Sequence, residues 1–227
     1  MPDPHFSKDL FAFLRALKRN NNRGWFAEHK DQYIERVRDP MLAFIAAFAP
    51  RIEKISPRFV ADPSPVGGSM FRIYRDTRFG GDKTPYKTAA TAQFRHEQGK
   101  DVHAPGFYLH LEPGTVFMAA GIWHPDGPAL RAIRERIVED PAGWKKARAA
   151  GTRAPFDLAG ESLKRPPRGF DADHPLADDL KRKDHVVVAA FDESDALGAG
   201  FLAEFTKRCR AASGYVRWLC GAVGVGF

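Results

Sequence analysis

The sequence contains only two cysteines, Cys209 and Cys220, and no long uncharged apolar run. Two cysteines are too few for a disulfide scaffold or for a metal site built from cysteine alone. The apolar segments fall well short of the ~18 residues that a membrane-spanning helix needs. The first residues, Met1 to His5, lack the basic and apolar stretches of a secretion signal. We therefore expect a cytoplasmic protein that has no membrane segment.

Sequence motifs of common cofactor and metal sites are also missing. The eight histidines are scattered without an H-E-x-x-H or H-x-H pattern, and the best pairing would bring His110 and His124 together across a hairpin. Residues 81–84 resemble the end of a P-loop, but Asp82 replaces the glycine that should precede the lysine. No G-x-S-x-G elbow is present. We expect neither a metal nor a cofactor.

Basic residues exceed acidic residues, with 35 Lys and Arg against 28 Asp and Glu and a net charge of +7. Such a balance favours anionic partners, including nucleic acid, phosphorylated metabolites and anionic lipid. However, no run of five Lys or Arg exists, so the chain has no basic arm. The charge alone therefore leaves open a nucleic-acid surface, a small anionic ligand and an ordinary solvated surface.

Hydrophobic periodicity divides the chain into helical ends and a strand-rich middle. Helices are predicted after caps at Ser7, Asn22 and Asp39 (the last followed by Pro40), near 128–137, 141–150 and 174–183, and over 195–220 with a break near Gly214. Strands are predicted from Phe71, over 86–95, and over 107–111, 116–122 and 186–191, with the clearest hairpin at residues 112–115. Residues 56–69 and 151–173 are predicted loops. This order predicts one α+β domain over residues 1–227, with its core at about 6–220.

Residues 71–87 carry the densest chemistry in the chain. The stretch from Arg72 onward holds five bases against two acids, Asp76 and Asp82. The bases are Arg72, Arg75, Arg78, Lys83 and Lys87. The Gly80-Gly81 pair allows a tight turn with exposed backbone N–H groups, and Arg and Lys side chains around it would complete an anion cradle. The alternative is a network in which both acids pin the turn, but two carboxylates cannot neutralise five bases.

The leading hypothesis is therefore an anion-binding pocket for a phosphorylated or carboxylated small molecule. Trp25 and Trp123 would stack on a ring, and Arg168, in the 164–170 loop, would close over the site. If the protein is an enzyme, Asp76 or Asp82 would be the general base and Tyr86 a proton donor. A nucleic-acid-binding module using the same cations and an interaction protein without a ligand remain alternatives. The sequence does not indicate an oligomeric state.

Two runs resemble a known family. Asn21-Asn22-Arg23-Gly24-Trp25-Phe26 and the run from Arg75 to Lys87 are similar to the domain of unknown function 2461, found in uncharacterised bacterial and fungal proteins. The resemblance extends from Phe6 to about Leu219 and includes residues 121–125 and 165–170. The family usually has Ser-Lys or a similar pair at Gly80-Gly81, so a ligand contact from that lysine would be missing here. The resemblance implies a shared fold and motif, and no reaction.

Overall fold

The computed structural model describes residues 5–78, 81–99 and 104–227. The helices are α1 (Lys8–Arg19), α2 (Arg23–Glu28), α3 (Lys30–Tyr33), a π-helical turn (Ile34–Arg38), α4 (Asp39–Glu53), α5 (Gly127–Glu139), α6 (Pro141–Gly151), α7 (Ala177–Leu180), α8 (Glu193–Ala196) and α9 (Phe201–Ala222). The strands are β1 (Ala90–Arg95), β2 (Gly106–Glu112), β3 (Thr115–Ile122), β4 (Asp157–Ala159) and β5 (His185–Phe191).

The strands form one antiparallel sheet in the order β1-β2-β3-β5-β4. The predicted hairpin joins β2 to β3 through Pro113 and Gly114, and Gly114 has a φ of +80°. A Pro-Gly pair with a left-handed second residue is what a type II turn requires. The single α+β domain with a mainly antiparallel sheet is confirmed.

The long helices pack on one face of the sheet. Alternate strand residues point toward α4 and α9 and are buried, among them Phe94 on β1, Leu109 on β2 and Met118 on β3. Aromatic rings carry much of this packing, with Phe48 of α4 set between Phe94 and Phe205 at centroid distances of 4.6 and 5.0 Å. Because side chains alternate along a strand, the intervening residues face the other side, where no long helix lies among the described residues.

Two predicted helix starts are confirmed by their capping hydrogen bonds. The Ser7 hydroxyl accepts from the Asp9 N–H, and the Asn22 side chain accepts from the Trp25 N–H. The predicted cap at Asp39 is wrong, because the chain is already helical there. The Asp39 N–H donates to Ile34 in a π-helical turn, and the wider turn accommodates the missing N–H of Pro40.

Three other predictions need correction. The helix α9 runs through Gly214 without a break, because buried residues on both sides of this glycine hold the helix against the core. The segment from Phe71 is not a strand of the sheet: in its described part Tyr74 forms an isolated bridge with Tyr86, and the Phe71 N–H donates to the Thr91 carbonyl of β1 at 3.0 Å. The loop 151–173 contains β4, a three-residue edge strand, too short to leave a period in the sequence.

Candidate functional site

A cavity of about 650 Å³ lies on the sheet face opposite the long helices. That volume suits a small organic ligand. The lining residues come from all five strands and from the segments before β1 and after β3 and β4: Phe71, Arg75, Lys87, Thr88, Ala89, Thr91, Gln93, Gly106, Phe107, Tyr108, His110, Phe117, Ala119, Ala120, Gly121, Trp123, Ala159, Gly160, Val186 and Val188. The sheet thus forms the floor, and the loops form the walls.

Small residues at the centre of the sheet create the depth of the cavity. Ala119 of β3 lies between Tyr108 of β2 and Val188 of β5 in the register. Gly121 has a φ of +128°, and a Cβ there would lie 2.0 Å from the His185 carbonyl oxygen. Glycine is therefore required where β3 passes the His185 carbonyl of β5. The larger rings of Phe71, Phe117 and Trp123 add aromatic surface to the lining.

Two cations from the motif segment line the cavity, Lys87 and Arg75. The Arg75 guanidinium is paired with Asp82 and donates to the Thr84 hydroxyl at 2.7 Å. The Lys87 ammonium lies 5.1 Å from the centroid of the Phe71 ring. Within the described part of the chain, no carboxylate lies within 4 Å of that ammonium. Burial, and then the like charge of Arg72, lower the pKa of Lys87.

A connected polar row runs along β2 on the cavity side. The Tyr108 hydroxyl lies 3.0 Å from His110 Nδ1, and His110 Nε2 lies 3.4 Å from Glu112 Oε2. The other carboxylate oxygen of Glu112 accepts from the Thr88 hydroxyl at 2.7 Å. Burial raises the pKa of Tyr108 to about 12, although a hydrogen bond with Thr91 opposes the shift. Burial also lowers the pKa of His110, and Glu112 opposes that shift.

A buried carboxylate fixes two of the cavity walls. Asp184, which is 0% exposed, accepts from the His124 N–H at 2.8 Å, from His124 Nδ1 at 2.6 Å and from the Glu161 N–H at 2.8 Å. Burial favours a higher pKa for Asp184, but the N–H groups of Glu161 and His124 outweigh it, and the pKa falls. His124 has a φ of +47°, unusual for a non-glycine residue. These bonds hold the chain next to Trp123 and Gly160, which line the cavity.

The remaining charges of the motif segment lie outside the cavity lining. Arg78 pairs with Asp76 at 2.7 Å, and Lys83 donates to the Thr77 carbonyl at 2.9 Å. Arg72 is exposed. The excess of bases over acids therefore does not by itself require an external anion, because water solvates these exposed groups. Gly81 is exposed, and Gly80 lies outside the described residues.

The carboxylates proposed as general bases are held in exposed ion pairs. Hydrogen bonds from Arg78 keep the pKa of Asp76 far below its usual value. Hydrogen bonds from Thr84, and then from Arg75, lower the pKa of Asp82 to about 2. A carboxylate with so low a pKa is a weak base. This geometry favours a structural role for Asp76 and Asp82 in the segment.

The two family-like runs pack against each other. The Asn21 side chain donates to the Tyr86 carbonyl at 2.9 Å and accepts from the Tyr86 N–H at 3.1 Å. The Phe26 ring stacks on the Tyr86 ring at 4.1 Å. Tyr86 is buried in this contact, and Trp25 stacks on His29 at 4.1 Å. Neither Tyr86 nor Trp25 lines the cavity, so these contacts fix the segment that carries Lys87.

Two predicted binding residues lie outside the motif segment, and of these Trp123 lines the cavity whereas Arg168 does not. Trp123 is 53% exposed and stacks on His124 at 4.1 Å. Arg168 is exposed in its loop.

His110 pairs with Phe117 in the register, whereas His124 follows the far end of β3, so the predicted His110–His124 pair does not form. Across residues 5–78, 81–99 and 104–227, no three potential metal ligands cluster.

The residues that form the cavity floor were not among the predicted site residues. Thr91, Tyr108 and Phe117 were assigned only to strands, and His110 was considered only as a partner of His124. A signal was present, because Tyr108, His110 and Glu112 alternate with buried apolar residues and so share one face of β2.

The described helices include none that is both long and apolar enough to cross a bilayer.

Comparison with known proteins confirms a likeness over nearly the whole chain. A search among curated proteins finds no match. The family model described as "Conserved hypothetical protein (DUF2461)" matches residues 9–218. That span includes the sheet, the cavity and both motif runs. The chain therefore belongs to the DUF2461 family of conserved hypothetical proteins.

Proposed function

We propose that this protein binds a small organic acid in the sheet-face cavity, with an aromatic or other apolar body and one anionic group. Phe71, Phe117 and Trp123 offer ring contacts for the body. Lys87 and Arg75 line the same cavity and meet the anionic group. The observation that carries the proposal is Lys87, a partly buried ammonium facing an apolar cavity without a carboxylate partner in the described part of the chain.

The lining argues for an amphipathic ligand over a strongly charged one. A phosphorylated metabolite such as a nucleotide carries several charges, which need several unpaired donors. Here Arg75 already pairs with Asp82, so Lys87 supplies most of the uncompensated charge. A single carboxylate would restore the balance, and the rings would bury the rest of the molecule.

Three probes separate the two parts of this proposal. The compounds are 2-naphthoate, its neutral analogue 2-naphthylmethanol, and inorganic phosphate, with affinities measured by calorimetry. We expect the wild type to bind 2-naphthoate more tightly than 2-naphthylmethanol, and phosphate weakly. A charge-assisted hydrogen bond contributes about 1.5–3 kcal/mol. The Lys87→Met variant should therefore bind 2-naphthoate about tenfold or more weakly, while its affinity for 2-naphthylmethanol stays nearly unchanged.

The matched control is Lys145→Met, because Lys145 is exposed on α6 in the helical layer. It should bind all three probes like the wild type. Equal affinity for the acid and the alcohol, or equal losses in both lysine variants, would overturn the proposal. Tight binding of an oligonucleotide that falls steeply with salt would instead support the nucleic-acid alternative.

A further inference from the structure

We propose that Tyr108, His110 and Glu112 form a nucleophile–base–acid triad on the cavity floor, able to attack an activated acyl or sulfonyl centre. The proposal rests on the proposed function for its ligand class, an aromatic acid derivative. The three residues occupy alternate positions of β2 and so project from one face. Tyr108 and His110 both line the cavity.

The direction of each hydrogen bond follows from chemistry. A carboxylate can only accept, so the Glu112 contact places the proton of neutral His110 on Nε2. His110 Nδ1 then carries a lone pair, and the Tyr108 hydroxyl 3.0 Å away must donate to it. A hydroxyl that donates to an imidazole held by a carboxylate is the arrangement of an activated nucleophile.

The carboxylate is itself held in place from two sides. The Thr88 hydroxyl donates to Glu112 at 2.7 Å, and the Lys18 ammonium lies 3.8 Å away. Thr88 adjoins Lys87, so the segment that brings the cavity cation also orients the acid. His110 stacks on Phe117 at 4.6 Å, which limits rotation of the imidazole. These contacts preorganise the row before a ligand enters.

The resting protonation states suit this role. Burial keeps Tyr108 protonated and His110 neutral near pH 7, because it disfavours both charged forms. The cations Lys87 and Arg75 line the same cavity and favour charge developing on a ligand oxygen. Glu112 would stabilise the imidazolium formed when His110 takes the proton.

The step can be written for the aromatic probe naphthalene-2-sulfonyl fluoride. The Tyr108 oxygen forms a bond to sulfur while the sulfur–fluorine bond breaks, and fluoride leaves with the bonding electron pair. His110 Nδ1 takes the phenolic proton and later releases it to water. The product is a stable sulfonate ester on Tyr108, which peptide mass spectrometry locates.

The chain supplies an internal reference for this experiment. Tyr74 is 52% exposed, so its labelling rate reports an ordinary surface tyrosine. We expect Tyr108 to react faster than Tyr74 despite its burial. Excess 2-naphthoate should protect Tyr108 and leave Tyr74 unaffected. His110→Gln should slow Tyr108 labelling by about tenfold or more, whereas Lys145→Met should leave both rates unchanged.

Glu112 is a positioning residue, and its test uses the pH profile. The labelling rate of Tyr108 should fall at low pH as His110 becomes protonated. Titratable and charged groups near this row are Lys87, Arg75, Lys18 and Glu112. Because Glu112 favours the imidazolium, Glu112→Gln should move the midpoint of that fall to lower pH. A merely structural role would change the amplitude and leave the midpoint in place.

Binding of 2-naphthoate, measured on the same preparations, separates the two proposals. Intact binding with Tyr108 labelled no faster than Tyr74 would overturn the triad and leave the ligand class standing. Fast, His110-dependent labelling without 2-naphthoate binding would support the triad and overturn the ligand class. Labelling of Tyr108 at an equal rate in wild type and His110→Gln would also overturn the triad.

Discussion

Replacing Asp184 with alanine should destabilise the protein through two backbone groups that lose their acceptor. The carboxylate is fully buried and accepts from the N–H groups of His124 and Glu161 as well as from the His124 ring. An N–H that loses its acceptor away from water costs about 1–3 kcal/mol, and both of these bonds are partly buried. The ring contact adds little, because the His124 side chain is 44% exposed. Relief of the buried charge offsets part of the cost, so we expect a loss of about 3 kcal/mol.

Urea and thermal unfolding measure this loss directly. For a chain of this size each kcal/mol corresponds to roughly 2–4 °C, so the midpoint should fall by roughly 6–12 °C. The control is Asp157→Ala, since Asp157 is exposed on β4. The same loop contacts hold Trp123 and Gly160 at the cavity, so 2-naphthoate binding should weaken in the Asp184 variant as well.

The stabilisation that Asp184 contributes depends on pH, and the direction of this dependence follows from the pKa of Asp184. The pKa of Asp184 is lowered by folding, so its contribution is complete above the unfolded pKa of about 3.9. It is lost as the pH falls through the lower folded value. The difference between wild type and Asp184→Ala should therefore be constant near neutrality and shrink in acid. A loss below about 1 kcal/mol, equal to that of the Asp157 control, would refute the reasoning.

Three further predictions concern other parts of the molecule. Asn21→Ala should lower the free energy of unfolding by about 1–3 kcal/mol, because both of its bonds to Tyr86 are lost; an unchanged urea midpoint would contradict this. Labelling of the cavity tyrosine should decline as the pH drops through a His110 pKa that lies below 6.5, and a flat rate profile would contradict it. Burial raises the pKa of Cys209, and raises that of Cys220 to about 12, so Ellman's reagent should react with native protein far more slowly than with urea-unfolded protein; immediate reaction of the native protein would be contrary to expectation.

Local signals were sufficient for most helix and strand positions. Asn22 caps its helix because its side chain reaches the Trp25 N–H three residues on, and this geometry depends on sequence neighbours alone. The hairpin at Pro113 and Gly114 is equally local. The errors came where neighbours in space decide the outcome. Gly214 ends no helix because α9 is held along its length by the core, and tertiary packing outweighs one glycine.

The candidate site was only partly visible in the sequence. Lys87, Arg75 and Trp123 were identified by type and lie at the cavity. Counting charges overestimated the need of residues 71–87 for an external anion. An unpaired cation that is exposed to water costs little free energy, and the sequence does not show which cations are exposed. The cavity itself depends on strand register, which places Ala119 between Tyr108 and Val188. No composition or motif count contains that information.

A crystal structure of the protein with bound 2-naphthoate tests the central claim most directly. We expect the carboxylate within hydrogen-bond distance of the Lys87 ammonium and the naphthalene ring among Phe71, Phe117 and Trp123. The same complex of Lys87→Met should show the ring without a fixed carboxylate position, or no bound acid. A carboxylate bound away from Lys87, or a cavity without 2-naphthoate in crystals grown at saturating concentration, would contradict the account.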